Sequence, residues 1–155
     1  MKTYRYHLTE PLNDLVFTID EDQLIALTLE PISLESEIKD KSGDKVYQQI
    51  VDYFQGRLKV FTLAYSLEGY TQFQQDVLNE LTKVAYGDTI SYQQLAIKAG
   101  YPKAARAVGS VMAMNPLPLL IPCHRVIRAD QSLGAYSMGG QAMKEKLLAM
   151  EANYA

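Results

Sequence analysis

Residues 91–130 read SYQQLAIKAGYPKAARAVGSVMAMNPLPLLIPCHRVIRAD. Ser91 is a candidate N-cap for a short helix, because its hydroxyl can accept a hydrogen bond from a first-turn amide. Gly100 ends that helix, since glycine reaches the left-handed C-terminal conformation without strain. Pro102 suits a first turn, so residues 102–114 are read as a second helix. Helix, tight turn and helix in this order make a helix-turn-helix pattern, with Lys103 and Arg106 on the second helix. Helical hairpins that never meet DNA carry the same pattern. Ala104, Ala105, Ala107, Gly109 and Ser110 make the second helix slim enough to approach another surface closely. Pro116 and Pro118 then forbid a regular helix, Leu119–Leu120–Ile121 is an apolar run, and Pro122 presents Cys123 and His124.

Outward from this stretch the pattern changes character. TQFQQDVLNELTKVAYG, 71–87, places Phe73, Val77, Leu81 and Val84 on one helical face, with Gly87 closing it. GAYSMGG, 134–140, is a glycine-rich loop, and QAMKEKLLAMEA, 141–152, is a final helix with Met143, Leu147, Leu148 and Glu151 near one face. Before residue 70, TYRYHL, DLVFTID and QLIALTLE read as strands, and 31–44 as a polar loop. DKVYQQIVDYFQGR, 44–57, has Val46, Ile50, Val51 and Phe54 at helical spacing, and a short strand is expected around LKVFTLAY, 58–65. The expectation is an α+β chain with a small α/β domain over 1–70 and a helical domain over 71–155.

Composition narrows the function. The chain has 155 residues, 48% hydrophobic and 21% charged, which suits a globular protein. It has no apolar run long enough for a transmembrane helix, and the N-terminus lacks the apolar core of a signal peptide, so a cytoplasmic location and no membrane partner are expected. A single cysteine excludes an internal disulfide and a multi-thiolate zinc site, and two histidines make a metal cage improbable. The net charge of −3 hides an asymmetry: residues 1–70 carry −5, residues 71–155 carry +2, and the segment 88–128 alone carries +4. A basic segment in an acidic chain marks either an anion-facing surface or a solvated face.

Cys123 is the sharpest chemical feature. A lone cysteine beside an apolar run is commonly a small buried hydrophobe. Against that stand the adjacent His124, the nearby Arg125 and Arg128, and a proline-constrained turn. Cationic neighbours lower a thiol pKa, and the thiolate is the nucleophile. Neighbouring side chains often point apart, so a proton path from sulfur to imidazole through one water is as plausible as direct contact.

PCHRV at 122–126 resembles the active-site signature of the O6-alkylguanine-DNA alkyltransferases, the methylated-DNA–protein-cysteine methyltransferase family. YGDTISYQQLA (86–96), PKAARAVG (102–109), NPLPLLIPCHRVI (115–127) and GAYS (134–137) resemble family blocks in the family's order, and YFQGRLKVF (53–61) resembles the end of its N-terminal domain. The resemblance implies an RNase-H-like first domain, a winged-helix-like second domain, and a single-turnover enzyme without cofactor or metal. It would act as a monomer on double-stranded DNA, flip O6-alkylguanine through the minor groove and keep the alkyl group on Cys123. It further implies His124 as base through a water, Glu151 as the carboxylate that orients it, and Asn115 as a tie between the helix-turn-helix and the active-site turn. Tyr92 would hydrogen-bond the purine and donate a proton. Arg106 would fill the place of the extruded nucleotide. Ser91, Lys103, Ala105 and Arg125 would lie along the DNA, and Met112, Val126, Tyr136 and Ser137 would line the base pocket. Without the resemblance Tyr92 reads as a buried helix residue, Arg106 as a solvated one and Asn115 as a turn residue.

The chain departs from the family in places. The loop after Tyr136 is one residue longer than in many relatives, Ala85 stands where proline is frequent, and Leu78 where tryptophan is frequent. Two other readings remain at this point: a non-catalytic lesion-binding protein, against which the retained Cys123 argues, and a helix-turn-helix regulator, against which the acidic whole and the lack of a dimerisation segment argue.

Overall fold

Alternating bulky and polar residues near the N-terminus produce an antiparallel sheet in the order β1 (Lys2–His7), β2 (Asp14–Asp20), β3 (Gln23–Glu30). Tyr4 lies opposite Phe17 and Phe17 opposite Leu27, so the large side chains share one face, on which Tyr4, Tyr6, Leu15, Phe17, Leu24 and Leu27 are buried. Helix α1 (Lys41–Phe54) packs on this face through Val46, Ile50 and Tyr53. It begins before the expected residue 44 because the Asp40 carboxylate accepts the Ser42 and Gly43 amides. A Cβ on Gly43 would stand 2.7 Å from both the Tyr4 ring and the Tyr6 hydroxyl, so the absent side chain lets α1 sit this close. Tyr53, rather than Phe54, occupies the buried position at the end of α1.

The strand expected around 58–65 is reduced to one bridge between Tyr65 and Leu24. The preceding backbone has other partners: the Arg57 and Leu58 amides return to the Asp52 carbonyl, and Gln49 grips Thr62 at its amide (3.0 Å) and its hydroxyl (2.8 Å).

Asp14 is fully buried and accepts bonds from Arg5 (2.8 Å), the His7 ring (2.6 Å) and the Ser33 amide (3.0 Å). Burial pushes its carboxyl up, but the bonds from His7, Arg5 and Ser33 outweigh it and hold the group down at about 2. A depressed carboxyl stabilises the fold above its unfolded pKa, and that stability fades as pH falls through the folded value. Urea unfolding from about pH 6 to about pH 2 should therefore show a loss that an Asp14→Asn variant lacks. Identical pH sensitivity in the two proteins would contradict this assignment.

Residues 1–155 are all described by the computed structural model, which divides into two units, Met1–Ser66 and Leu67–Ala155. In the second unit α2 (Gln72–Leu81) opens with a reciprocal capping box between Thr71 and Gln74 and buries Val77, Leu78 and Leu81. It ends six residues before Gly87, because bonds from Lys83 to Glu80 and Val84 to Leu81 tighten its last turn. Ile90–Ser91 (β4) pairs in parallel with Val126–Ile127 (β5). Helix α3 (Tyr92–Lys98) starts at once, with the Ser91 hydroxyl accepting the Gln94 amide at 3.0 Å.

Helix α4 (Ala105–Met114) begins three residues after the expected Pro102. Tyr101 is held back by its amide bond to Ala96 and its phenol on Asp76, and Ala104 has no side-chain oxygen with which to cap an earlier start. Helix α5 (Gly140–Tyr154) closes the unit. Its fully inward positions are Lys144, Leu147 and Glu151, while Met143 and Leu148, expected on that face, are half-buried. The whole is an α+β architecture of five helices and two small sheets, and no helix is long and apolar enough to cross a membrane.

Candidate active site

Asn115 ends α4 and governs the chain that follows. Its Nδ2 donates to the Ile121 carbonyl at 2.8 Å and its Oδ1 accepts the Leu117 amide at 3.0 Å, closing the loop 115–121 on itself. Burial pushes the Cys123 thiol pKa up, and the Asn115 side chain pulls against that rise. Leu119, buried within the loop, is held at φ 77°, a left-handed conformation that costs a non-glycine residue free energy and persists only where the surroundings impose it. The loop delivers Cys123 to the first position of a 3-10 turn, Cys123–Arg125.

Such a turn rotates about 120° per residue, so the Cys123 and His124 side chains diverge. His124 points at α5, where its Nε2 lies 2.7 Å from Glu151 Oε2. Arg125 grips the same carboxylate with two bonds, Nε to Oε1 at 2.8 Å and NH2 to Oε2 at 2.9 Å, and its third nitrogen donates to the Val84 carbonyl at 2.8 Å. The Gly87 amide adds a further bond to Oε1 at 3.3 Å. His124, Arg125 and Glu151 are all buried. A buried carboxylate is stable when paired and hydrogen-bonded in this way.

The geometry fixes the protonation of His124. Burial pushes the imidazole down, and although the Glu151 bond pulls the other way, Arg125 lies close enough to oppose it; the net direction is down and the ring is neutral. The carboxylate can only accept, so Nε2 carries the ring proton and Nδ1 holds the basic lone pair.

Arg125, expected along the DNA, is not at a surface. It is 6% exposed, and its planar fork matches the Glu151 carboxylate. A second buried cation in this unit is Lys144, which donates to the Ala135 carbonyl at 3.3 Å and which the sequence did not single out. One signal for it was available: it lies seven residues before Glu151, two turns along the same inward stripe.

The remaining candidates divide by exposure. Lys103 and Arg106 are exposed, Ala105 is half-buried, and the half-buried Ser91 uses its hydroxyl as the α3 cap. Met112, Val126 and Tyr136 are buried, while Ser137 is exposed. Tyr92 is half-buried, and burial raises its phenol pKa. The Tyr136 ring meets His124 edge-on at 6.4 Å, and its hydroxyl is buried without a hydrogen-bond partner. The sulfur itself is covered: Cys123 is 3% exposed, and Tyr136 and Met138 are also buried. A cavity of about 320 Å³ lies elsewhere, between the end of α2 and α3, and is lined by Glu80, Lys83, Asp88, Gln94 and Lys98 rather than by the cysteine or histidine.

This arrangement has counterparts. Residues 72–153 match the family model described as 6-O-methylguanine DNA methyltransferase, DNA binding domain. The constitutive methylated-DNA–protein-cysteine methyltransferase of Bacillus subtilis is 35% identical over 150 residues, 91% of this chain and 90% of that protein. The Mus musculus methylated-DNA–protein-cysteine methyltransferase is 62% identical over 85 residues, 51% of this chain and 40% of that protein. The match thus spans about two-fifths of that mammalian relative's length. The crystal structure of Mycobacterium tuberculosis OGT in complex with DNA superposes with a TM-score of 0.85 at 34% identity, covering 99% of this chain and 94% of that one. With a cysteine, a histidine and a glutamate brought to one buried place on this framework, the chain belongs to the methylated-DNA–protein-cysteine methyltransferase family.

Proposed function

We propose that the protein repairs DNA by moving the alkyl group of O6-alkylguanine onto Cys123 in one irreversible step. The observation that carries this reading is the buried His124–Glu151 pair beside a cysteine at the head of a turn. The thiol proton passes through a water to His124 Nδ1. The thiolate attacks the alkyl carbon, a carbon–sulfur bond forms, and the carbon–oxygen bond breaks with its electron pair going to the guanine oxygen. Tyr92 donates a proton to the departing purine, and the proton held by His124 restores the balance. A thioether is not hydrolysed as an acyl-enzyme is, so one chain acts once.

Residues 1–70 are read as an RNase-H-like N-terminal domain and residues 71–155 as the winged-helix-like DNA-binding and alkyl-acceptor domain. The first reading is supported by the three-stranded meander under α1, the second by consecutive α3 and α4 beside a short parallel pair. The exposed Lys103 and Arg106 face DNA with Ala105 and Ser91, approached from the minor groove, and the lesion is everted into the site. Met112, Val126, Tyr136 and Ser137 receive it. The orphaned Tyr136 hydroxyl supports this, because a buried polar group without a partner is poised for a ligand. Because Cys123 is 3% exposed, its surroundings must shift as the base enters.

Two tests apply. Incubating the protein with excess duplex oligonucleotide containing O6-methylguanine, then analysing the nucleosides, should give guanine in an amount equal to the protein. No guanine, or guanine beyond that amount, would refute the reading. Arg106→Ala should slow transfer from duplex DNA about tenfold or more, since base eversion involves a few kcal/mol, yet leave reaction with free O6-benzylguanine unchanged. Equal losses in both assays would remove Arg106 from eversion.

A further inference from the structure

Lys103 and Arg106 flank the start of α4, and no side chain caps that start, because Ala104 has no oxygen to offer. The turn before it is closed from the α3 side. The Gly100 amide returns to the Ile97 carbonyl and the Tyr101 amide to that of Ala96, the paired bonds that end a helix at a left-handed glycine, here at φ 95°. Ala104 then donates to the Tyr101 carbonyl at 3.0 Å, and the bond from Val108 to Ala104 opens α4. Pro102, between them, has a fixed φ and no amide to donate. Tyr101 is therefore the joint from which α4 departs.

Its side chain leaves the joint and reaches α2. The ring meets Phe73 edge-on, 4.8 Å between centroids, and the phenol donates to Asp76 Oδ2 at 2.5 Å. The other carboxylate oxygen, Oδ1, accepts the Gln72 side chain at 2.7 Å, from one turn earlier on α2. A short bond from a hydroxyl to a carboxylate is of the strong, charge-assisted kind. The bonds from Tyr101 and Gln72 hold the Asp76 carboxyl down, and the bond to Asp76 is the main cause that raises the Tyr101 phenol. Both side chains are half-buried. A phenylalanine would fill the same space beside Phe73. The hydroxyl does something more: it ties the joint to a helix that holds none of the residues proposed to face DNA.

We propose that Tyr101 and Asp76 form a latch that positions the start of α4, so that Lys103 and Arg106 meet duplex DNA in a fixed register. The role of those two basic residues rests on the repair reading given above. Neither latch residue belongs to the Cys123–His124–Glu151 site, so the latch acts on the engagement of DNA and not on alkyl transfer itself.

Tyr101→Phe tests this, because it keeps the ring and the net charge and removes only the phenol. Its transfer from subsaturating duplex containing O6-methylguanine should fall about fivefold or more, in the range of coupling between residues in contact. Duplex binding should weaken with it, while free O6-benzylguanine reacts at the wild-type rate. Duplex transfer equal to the wild type, or equal losses with both substrates, would overturn the proposal. Asp76→Ala and Asp76→Asn give a second reading that does not depend on the folding of Tyr101→Phe. Both are neutral, so they alter repulsion from phosphates alike, but asparagine keeps an oxygen for the phenol. Asp76→Asn should recover most of the duplex-to-free-base ratio that Asp76→Ala loses, and equal ratios would overturn the proposal. Methyl uptake by the wild type, measured alongside, keeps the two readings apart. A wild type that takes up no methyl yet binds duplex more tightly than Tyr101→Phe keeps the latch and discards repair. Uptake with identical duplex binding and transfer in Tyr101→Phe keeps repair and discards the latch.

Discussion

A Glu151→Gln variant is expected to lose about 3–5 kcal/mol of stability, because removing one member of a buried ion pair leaves the other charge uncompensated. Glu151 accepts bonds from His124, twice from Arg125 and once from Gly87, and is 1% exposed. Glutamine keeps one acceptor and turns a donor toward groups that themselves donate, and Arg125 stays buried without its anion. Transfer should slow as well, since the carboxylate fixes the His124 tautomer. A double variant separates these effects. Arg125→Met with Glu151→Met should recover much of the stability, because apolar residues of similar volume often replace buried ion pairs without loss, while alkyl transfer stays low. Urea unfolding measures the first effect and single-turnover kinetics the second. A single variant within about 1 kcal/mol of wild type, inside the ordinary range of surface substitutions, would contradict the place given to Glu151.

Gly134→Ala carries the second large effect. Gly134 has φ 74°, and a Cβ there would stand 2.6 Å from the Tyr92 hydroxyl and 3.3 Å from its ring. The left-handed conformation costs an alanine about 1–2 kcal/mol, and the contact must displace either Tyr92 or the loop. The loop is tied at both neighbouring carbonyls, Gly134 to Gln141 at 3.1 Å and Ala135 to Lys144 at 3.3 Å. Moving it also moves the acceptor of the Lys144 ammonium. Misplacement of a catalytic group by about 1 Å can cost about a hundredfold in rate. The expected result is a loss of that order in methyl transfer, with duplex affinity retained because the residues proposed to face DNA, Arg106 and Lys103, are exposed on another segment. Full transfer by this variant would show that Tyr92 does not sit where the purine must.

Local signals made much of the second unit legible. Ser91 caps α3 because a hydroxyl before a helix does so in almost any context, and Gly100 has φ 95° because a helix end wants that conformation. The two prolines force an irregular path from Asn115 to Cys123, and the inward stripe of α5 makes Glu151 a candidate for the core. What escaped was direction and distance. Arg125 stands between two residues of obvious interest, and nothing local says that its fork turns to a carboxylate 26 residues away. Lys144 looks like any helix lysine until the burial of its stripe is known. The strand expected near 58–65 failed for a similar reason: its backbone partners were spent on Gln49 and Asp52, which propensity does not reveal. Helix α4 starts late because Ala104 offers no cap, an absence visible in the sequence but outweighed there by the proline rule.

The proposed repair comes down to the Cys123 sulfur, and mass spectrometry reads it. Intact protein mixed with an excess of duplex carrying O6-methylguanine should gain a single methyl group, and peptide fragmentation should locate it on Cys123. A Cys123→Ser protein, still binding the duplex, should gain nothing. Absence of a methyl on Cys123, or a methyl found on another residue, would contradict alkyl transfer to this sulfur.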